Sequence, residues 1–375
     1  MRAASRRLAS GAASLLTTPL RIDDFVELVA PLRSRRQIWG RVDAVRPETA
    51  DVATLTIRPG RGWQEHRAGQ YVGTAVRVAG VWRHRPFSVS SAPGRADGCF
   101  EITVKAAAGG RVSRQLVYGL LPGTLMRLDP PAGDFVLPQD VPDRVLFLTA
   151  GSGITPVMSM LRHLASRGAM PDVTFLHLAR SRADVIFGRE LRRLAGRFPR
   201  LRLHERYTRA GCDGPRTGRG QRPTLPELLA DCPDWSDRST WACGPPGLLE
   251  EAEKLWRDAG AADRLSVERF SLAGCATGAG SSTGSDAATE GGGTVHFTRT
   301  GRRAVTDGAT PLLVAGERAG VTMPSGCRMG ICRTCVGRLG AGRVRDLRTG
   351  AEHGEAGDLV QTCVSVAAGD VDIDL

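Results

Sequence analysis

Long apolar segments are missing from this 375-residue sequence. No run approaches the roughly 18 consecutive apolar residues that a membrane-spanning helix needs, so we expect no transmembrane helix. The first residues, MRAASRRLASGAASLL, hold only a short apolar part that serine and glycine interrupt, which argues against a secretory signal peptide. Both absences favour a cytoplasmic protein.

Lysine is almost absent as well. Only Lys105 and Lys254 are lysines among the 51 basic residues; the others are arginines, and the formal net charge is +12. So basic a chain raises nucleic-acid binding as a hypothesis, but we find no basic helix and no aromatic stacking platform. We therefore expect no nucleic-acid partner. Attraction to an anionic cofactor, to an acidic protein or to the inner face of the cell membrane fits the charge equally well.

A disulfide framework is not expected, because the nine cysteines are odd in number and scattered over a long chain. Three of them, Cys327, Cys332 and Cys335, follow the spacing C-x4-C-x2-C, and Cys363 stands near the C-terminus. This is the ligand spacing of a plant-type 2Fe–2S cluster. Four thiolates also suit Zn²⁺, but zinc sites usually pair two C-x2-C hooks and this chain has one. The four cysteines are therefore the predicted cluster ligands.

Strand and helix patterns divide the rest of the chain. Between residues 41 and 137, short alternating strands separated by glycine and proline predict a small antiparallel β-barrel. From residue 143, strands alternate with helices, which predicts a parallel sheet with helices on both faces. A linker rich in glycine and serine follows, with a reach of roughly 25–30 Å that suits a mobile electron-carrying domain. We place the parts at 1–39, 40–140, 141–270, 271–293 (the linker) and 294–375.

Two glycine motifs are candidates for binding phosphate groups. Gly109 and Gly110 precede a predicted helix, and the free N–H groups at a helix N-terminus suit a diphosphate. The motif GSGITP (151–156) lies between a buried strand and an apolar helix, which is the geometry of a nucleotide-binding unit. In parallel sheets, ligands bind at the carboxyl ends of the strands, where GSGITP and CGPP (243–246) are both expected.

Four motifs occur in an informative order: RPFS (85–88), GGRVS (109–113), GSGITP (151–156) and CGPP (243–246). In this order they resemble the motifs of the ferredoxin–NADP⁺ reductase superfamily. With the cysteine motif appended, the chain from Gly40 onward resembles the three-module reductases, which are ordered flavin, nicotinamide, ferredoxin.

The resemblance implies a multidomain fold and a set of bound groups. The expected domains are an antiparallel β-barrel for the flavin, a parallel-sheet α/β domain for the nicotinamide and a C-terminal β-grasp 2Fe–2S ferredoxin domain. The expected groups are FAD, favoured over FMN, a nicotinamide cofactor and a 2Fe–2S cluster. Such a protein is an NAD(P)H-dependent oxidoreductase that passes electrons to an acceptor protein.

Site residues follow from the resemblance by matching the motifs. The catalytic candidates are Ser88, expected by flavin N5 where hydride arrives, and Cys243, expected near the reacting atoms. Cys243 is equally compatible with a small buried residue that ends a strand. The flavin-binding candidates are Arg85, Pro86, Phe87, Ser88, Gly109, Gly110, Val112 and Ser113. The nicotinamide-binding candidates are Gly151, Gly153, Thr155, Pro156, Gly244 and Pro245.

Arginines favour NADPH over NADH as the electron donor. Arg180, Ser181 and Arg182 follow the second strand of the nicotinamide domain, where the adenosine ribose is expected, and Arg209 follows the third. No acidic residue stands at 180–182 to hold a free 2′-hydroxyl, and arginine suits a 2′-phosphate. In so arginine-rich a chain, each of these residues is also compatible with a solvated surface position.

Two departures from the family pattern bear on function. Phe87 stands where the family usually has tyrosine, so the ring can stack on the flavin but a hydroxyl contact is lost. Arg333 stands where a small residue is common, and residues 294–375 hold ten arginines against nine carboxylates. A basic rim around the cluster predicts an acidic acceptor or an anionic membrane surface. The alternative is that these arginines only adjust the properties of the cluster through their charge and hydrogen bonds.

The stretch before the barrel suggests an acceptor. RIDDFVELVAPLRSRRQIWGRV (21–42), together with CRMGIC (327–332), is similar to bacterial reductases that feed membrane-bound acyl-CoA desaturases. The resemblance therefore implies electron transfer from NADPH to a membrane-bound di-iron desaturase. The alternatives are the reductase component of an aromatic-ring or alkane oxygenase and, from a different class, a non-catalytic redox sensor.

Overall fold

The computed structural model describes residues 28–168, 170–209, 223–270, 292–325, 330, 334–347 and 350–375. The chain forms two compact units, Met1–Glu268 and Arg269–Leu375. Within the described residues, no helix combines the length and the apolar character needed to cross a bilayer. The predicted linker falls outside these residues, apart from Gly292 and Gly293.

Six antiparallel strands form the first part of the larger unit. They are β1 (Ile38–Thr49), β2 (Val52–Pro59), β3 (Tyr71–Val78), β4 (Val81–Ser88), β5 (Phe100–Lys105) and β6 (Leu125–Leu128). Their order in the sheet is β4-β3-β6-β1-β2-β5. Just after β4, Val89 forms a bridge to Ile102 of β5 at the opposite edge, so the sheet closes into an incomplete barrel.

Alternation of side chains fills this barrel. Ile102 and Val104, two residues apart on β5, point to the same face and pack in the barrel core, while Glu101 and Thr103 are buried on the other face. Helix α1 (Arg111–Tyr118) packs on the barrel through Val112 and Leu116, which lie one turn apart on the same side of the helix.

A five-stranded parallel sheet forms the second part of the unit. Its strands are β7 (Arg144–Ala150), β8 (Asp172–Ala179), β9 (Leu201–Tyr207), β10 (Ser239–Cys243) and β11 (Leu265–Glu268). Its helices are α2 (Ile154–Ser166), α3 (Gly188–Arg197), α4 (Leu225–Leu229) and α5 (Pro246–Asp258). Helices α2 and α3 pack on one face through Leu161 and Leu191, and α4 and α5 pack on the other through Leu228 and Trp256.

The strand order of this sheet, β11-β10-β7-β8-β9, fixes where a ligand can bind. The chain moves from β7 outward to β8 and β9, and then returns to place β10 on the other side of β7. Between β7 and β10 the direction of the connections therefore reverses. Ligands of open α/β sheets bind in the crevice at such a switch point, beyond the carboxyl ends of the strands.

The smaller unit is a β-grasp fold. Its strands are β12 (Gly293–Phe297), β13 (Arg302–Thr306), β14 (Val336–Asp346), β15 (Glu352–His353), β16 (Leu359–Gln361) and β17 (Ser365–Asp374), and its helix is α6 (Leu312–Arg318). The sheet runs β13-β12-β17-β14-β15, with β16 paired to β14 and with β12 parallel to β17. Leu312 and Leu313 of α6 are buried in the core of this unit.

The predicted fold class is confirmed in all three modules. The main addition is β11, which sequence patterns did not separate from its surroundings. This four-residue strand pairs in parallel with β10 and brings Glu268 beside Cys243.

Candidate active site

Two glycine-containing turns meet at the switch point. Gly151–Gly153 form one turn of 3-10 helix after β7, and Gly151 has a φ of +55°, which favours glycine. A Cβ atom at Gly153 would overlap the carbonyl group of Cys243 and lie 2.8 Å from the amide nitrogen of Gly244. The motifs GSGITP and CGPP, far apart in the sequence, are therefore in backbone contact.

Helices α2 and α5 begin in these two turns. Neither helix has a side-chain cap at its N-terminus, where Gly153 precedes α2 and Pro245 precedes α5. Thr155 and Pro156 are buried in the first turn of α2, and the Thr155 hydroxyl donates to the carbonyl of Ser152 at 3.0 Å. The first N–H groups of a helix lack intrahelical partners and attract anions. Two neighbouring N-termini suit the diphosphate of a nicotinamide dinucleotide.

Cys243 and Glu268 end neighbouring strands in register. Cys243 is buried, and burial raises the pKa of its thiol well above the usual range, with the Glu268 carboxylate as a second cause. Burial likewise raises the pKa of the Glu268 carboxyl to about 7. A protonated thiol and a carboxyl that titrates near neutrality therefore lie together at the carboxyl edge of the sheet, beside the Gly153 turn.

The RPFS motif forms the end of β4. Ser88 is 8% exposed, whereas Arg85, Pro86 and Phe87 are half-buried. The Phe87 ring packs in part against the barrel core, and the Arg85 guanidinium donates to the main-chain carbonyl of the preceding residue at 2.7 Å. The motif thus presents one buried hydroxyl and one partly accessible cation at the same end of the barrel.

The GGRVS motif is the turn that starts α1. Gly109 has a φ of +69°, and Gly110 directly precedes the helix. The Ser113 hydroxyl accepts a hydrogen bond from the amide of Ala107 at 3.0 Å, which closes the turn, and Val112 anchors it in the barrel core. Ser113 therefore shapes the turn through its hydroxyl, while the N–H groups at the start of α1 lack a side-chain cap.

A pocket of about 620 Å³ adjoins this turn. Its lining includes Gly110, Arg111 and Arg114, so it combines a helix N-terminus with two guanidinium groups, and Tyr118 adds an aromatic face. Phosphate groups are bound by this combination of free N–H groups and arginine. The residues present therefore fit a phosphate-bearing group such as FAD.

The expected ribose site holds both arginine and acid. Arg180 donates to a carboxylate oxygen of Asp51, in the turn between β1 and β2, at 3.1 Å and to one of Asp184 at 3.0 Å. The Ser181 hydroxyl donates to the other oxygen of Asp184 at 2.6 Å. The sequence argument that no acid stands at 180–182 therefore missed a carboxylate that reaches the same place from position 184. The other two arginines expected near the ribose, Arg182 and Arg209, are exposed.

In the smaller unit, two of the four predicted cluster ligands are described. Cys335 and Cys363 are buried, and the amide of Gly330 donates to the Cys363 sulfur at 3.2 Å. A hydrogen bond from the Cys363 thiol lowers the pKa of Cys335 below the usual range of a thiol. Paired buried sulfurs with an amide donor fit an iron–sulfur cluster. The remaining predicted ligands, Cys327 and Cys332, lie outside the described residues.

Family models match three parts of the chain. Residues 45–137 match an oxidoreductase FAD-binding domain, residues 147–254 an oxidoreductase NAD-binding domain, and residues 295–368 a 2Fe-2S iron-sulfur cluster binding domain. An NADPH oxidoreductase of Mycobacterium tuberculosis is 49% identical over 366 residues, which are 97% of this chain and 91% of the relative. The chain belongs to the ferredoxin–NADP⁺ reductase superfamily.

One further relative agrees with this family, and one solved structure agrees with the fold. A glycine betaine monooxygenase reductase subunit of Pseudomonas aeruginosa is 32% identical over 323 residues, covering 82% of this chain and 87% of the relative. The solved structure of phthalate dioxygenase reductase has the same fold, with a TM-score of 0.56 at 20% identity, over 90% of this chain and 97% of that one. The reductase is thus an NAD(P)H-dependent oxidoreductase that binds FAD, a nicotinamide cofactor and a 2Fe–2S cluster.

Three acidic residues of the reductase join the candidate site although no motif marks them: Asp51, Asp184 and Glu268. Asp184 could have been found, because it stands four residues after Arg180 and that spacing permits an ion pair. Asp51 could not, because it comes from a barrel turn 129 positions away from Arg180. Glu268 becomes apparent only once β11 is known to pair with β10.

Proposed function

We propose that this reductase relays electrons from NADPH through FAD and the 2Fe–2S cluster to a membrane-bound di-iron acyl-CoA desaturase. The contact of Gly153 with Cys243 and Gly244 is the observation that supports this proposal most directly. It joins both nicotinamide motifs into one site, in the same compact unit as the barrel that bears the flavin motifs.

Each group of residues has a separate task in this proposal. The N-terminus of α1 and Arg85 hold the flavin diphosphate, and the turns before α2 and α5 hold the nicotinamide dinucleotide. Ser88 offers its hydroxyl beside the reacting flavin nitrogen. Cys243, small, neutral and buried, leaves room for the nicotinamide ring and excludes water. Bound flavin supplies the conversion of two-electron into one-electron transfer that a 2Fe–2S cluster requires.

The choice of NADPH is supported by Arg180 together with Arg182 and Arg209. A 2′-phosphate would compete with Asp51 and Asp184 for the Arg180 guanidinium, which remains 43% exposed. The relative with 49% identity is named an NADPH oxidoreductase. The ratio of kcat/KM for NADPH and NADH tests this choice, and a clear preference for NADH would contradict it.

The acceptor is suggested by exposed arginines on the strand that follows the cluster ligand Cys335. Arg338, Arg343 and Arg345 are exposed on β14, the strand that starts directly after Cys335. Such a basic strand suits an acidic partner or the anionic surface of a membrane that carries the acceptor. The similarity of residues 21–42 and 327–332 to desaturase reductases gives this acceptor its identity in the proposal.

The test of the acceptor is a reconstitution. Desaturase-containing membranes receive NADPH and acyl-CoA, with and without the purified reductase, and unsaturated acyl-CoA is measured. Product that forms only with the reductase supports the desaturase. NADPH oxidation with cytochrome c but no unsaturated product would contradict it while leaving the relay intact.

An oxygenase is the second candidate acceptor. Two relatives point to it by name, a glycine betaine monooxygenase reductase subunit at 32% identity and a stachydrine N-demethylase reductase subunit of Rhizobium meliloti at 29%. Hydroxylated or demethylated product in the presence of a candidate oxygenase, rather than unsaturated lipid, would favour this function. A redox sensor, in contrast, would oxidise NADPH only slowly with cytochrome c.

A further inference from the structure

A partly buried arginine joins the nicotinamide and flavin parts of the larger unit. Arg162 lies on α2, and its side chain is only 13% exposed. Its Nη1 donates to the main-chain carbonyl of Ser90 at 2.8 Å and to Oε2 of Glu101 at 3.1 Å, both in the barrel. Its Nε and Nη2 form a bidentate pair with Glu190 on α3, at 3.0 and 2.7 Å.

An aromatic ring fixes the same guanidinium. Cζ of Arg162 lies 4.7 Å from the ring centre of Phe187. Phe187 precedes α3 with a φ of +60°, a left-handed conformation that bulky residues rarely adopt. Such a conformation persists only where surrounding contacts over-determine it. The orientation of Arg162 is therefore set by the ring, by two carboxylates and by a carbonyl at once.

The segment that Arg162 holds comes directly after the flavin candidates. Ser90 lies two residues after Ser88 and is fully buried. The carbonyl of Ser91 accepts a hydrogen bond from the hydroxyl of Ser159 at 2.6 Å, and Ser159 lies about one turn before Arg162 on α2. Two successive barrel carbonyls are thus bound by two side chains on one side of a single helix. The N-terminus of that helix is the GSGITP turn.

We propose that Arg162 is a positioning residue for hydride transfer. By tying α2 to the main chain beyond Ser88, it fixes the distance between the nicotinamide turn and the flavin-binding strand. The inference rests on the proposed function, because it assumes that the GSGITP turn binds the nicotinamide cofactor and that the strand ending at Ser88 binds the flavin. The reaction moves one proton with two electrons from nicotinamide to flavin, and its rate depends steeply on their separation.

The first test compares Arg162→Lys with the wild type and with Arg193→Lys, an exposed arginine on α3. Lysine keeps the charge but cannot bind a carbonyl and two carboxylates in the same forked geometry. We expect Arg162→Lys to retain FAD and its Kd for NADP⁺, but to reduce its flavin roughly 10- to 100-fold more slowly at saturating NADPH. Arg193→Lys should match the wild type. A wild-type rate of flavin reduction in FAD-loaded Arg162→Lys would overturn the inference.

The second readout does not depend on turnover. The amide of Ser90 donates to the carbonyl of Glu101 at 2.7 Å, so its hydrogen exchange reports on the held segment. We expect peptides containing Ser90 and Ser91 to exchange faster in Arg162→Lys, and peptides of the ferredoxin unit to be unchanged. Unchanged exchange at Ser90 would show that Arg162 does not hold the segment.

A milder variant keeps the inference testable if Arg162→Lys fails to fold. Ser159→Ala removes only the neighbouring hydrogen bond to the Ser91 carbonyl. We expect slower flavin reduction and faster local exchange, both smaller than for Arg162→Lys. Wild-type values of both would contradict the inference. A wild-type protein that does not reduce its flavin with NADPH would instead refute the proposed function, so the two failures are distinguishable.

Discussion

The backbone of Gly153 lies directly against the carbonyl group of Cys243, with no space for a Cβ atom between them. Gly153→Ala must therefore push apart the two turns that form the nicotinamide site. We expect the affinity for NADP⁺ to fall at least about 10-fold, as a displaced main chain loses its phosphate contacts, while FAD is retained. Spectral titration with NADP⁺ measures the Kd. The control is Gly196→Ala on α3, where a Cβ meets open space, and unchanged affinity in Gly153→Ala would contradict the assignment.

Ser88 is the buried hydroxyl at the end of the flavin-binding strand. If it donates to the reacting flavin nitrogen, Ser88→Ala should slow flavin reduction roughly 100- to 1000-fold, since loss of one well-placed donor costs about that much. FAD content should not change. Rapid mixing with NADPH under anaerobic conditions measures the rate, with the exposed Ser166→Ala as a control. Equal rates in Ser88→Ala and the wild type would count against this role.

Glu268 should make the stability of the larger unit depend on pH. Its pKa is about 7 in the folded state, against a usual value of 4.5. Between these values the folded chain binds a proton that the unfolded chain has lost, so Glu268 lowers the free energy of unfolding as pH rises through this window, and its effect levels off above about pH 7.

Thermal unfolding of Glu268→Gln checks this dependence. The melting temperature of the variant relative to the wild type should rise from about pH 5 to 7, because glutamine has no proton to lose. The exposed Glu250→Gln serves as the control and should show a constant difference. A constant difference for Glu268→Gln as well would contradict the raised pKa.

Arg180 should decide between the two nicotinamide donors. Arg180→Gln removes the cation that a 2′-phosphate would bind, and a hydrogen bond to a charged group contributes about 1.5–3 kcal/mol. We expect kcat/KM for NADPH to fall roughly 10- to 100-fold and that for NADH to change little. Arg202→Gln, near the amino end of β9 beside Asp172, should leave both values unchanged. An equal loss of kcat/KM with NADPH and with NADH would show that Arg180 does not bind the 2′-phosphate.

A substitution at Cys332 tests whether electrons leave the reductase through the 2Fe–2S cluster. Cys332→Ser should abolish reduction of cytochrome c, because a 2Fe–2S cluster needs all four thiolates, while reduction of the flavin by NADPH stays near the wild-type rate. The matched control is Cys232→Ser, a buried cysteine of the nicotinamide domain that is not a predicted ligand. Normal reduction of cytochrome c by Cys332→Ser would refute the relay.

Local patterns sufficed to predict the antiparallel barrel, the parallel sheet and the motif-bearing turns, while the β-grasp domain was expected only from the family resemblance. The helix expected to open after Gly110 runs over Arg111–Tyr118, and the turn at Gly151 connects a buried strand to a helix as predicted. Glycine is strongly favoured where φ is positive and is needed where two backbones touch, so most of these positions are visible in the sequence.

Partners brought together by tertiary structure could not be predicted in this way. Arg162 binds a carbonyl 72 positions away, and in a chain with so many arginines nothing distinguishes it from a surface residue. The pairing of Arg180 with Asp51 spans 129 positions. Glu268 depends on the register between β10 and the short β11. Each of these side chains acquires its role from strand order and helix packing rather than from neighbouring residues.

Anaerobic rapid mixing of the purified reductase with NADPH tests the central claim most directly. The flavin absorbance and the paramagnetic resonance signal of the reduced 2Fe–2S cluster are followed in the same sample. The relay predicts that the flavin absorbance falls first and that the cluster signal then appears, in the absence of any acceptor protein. Reduction of the flavin with a cluster that stays oxidised would contradict it.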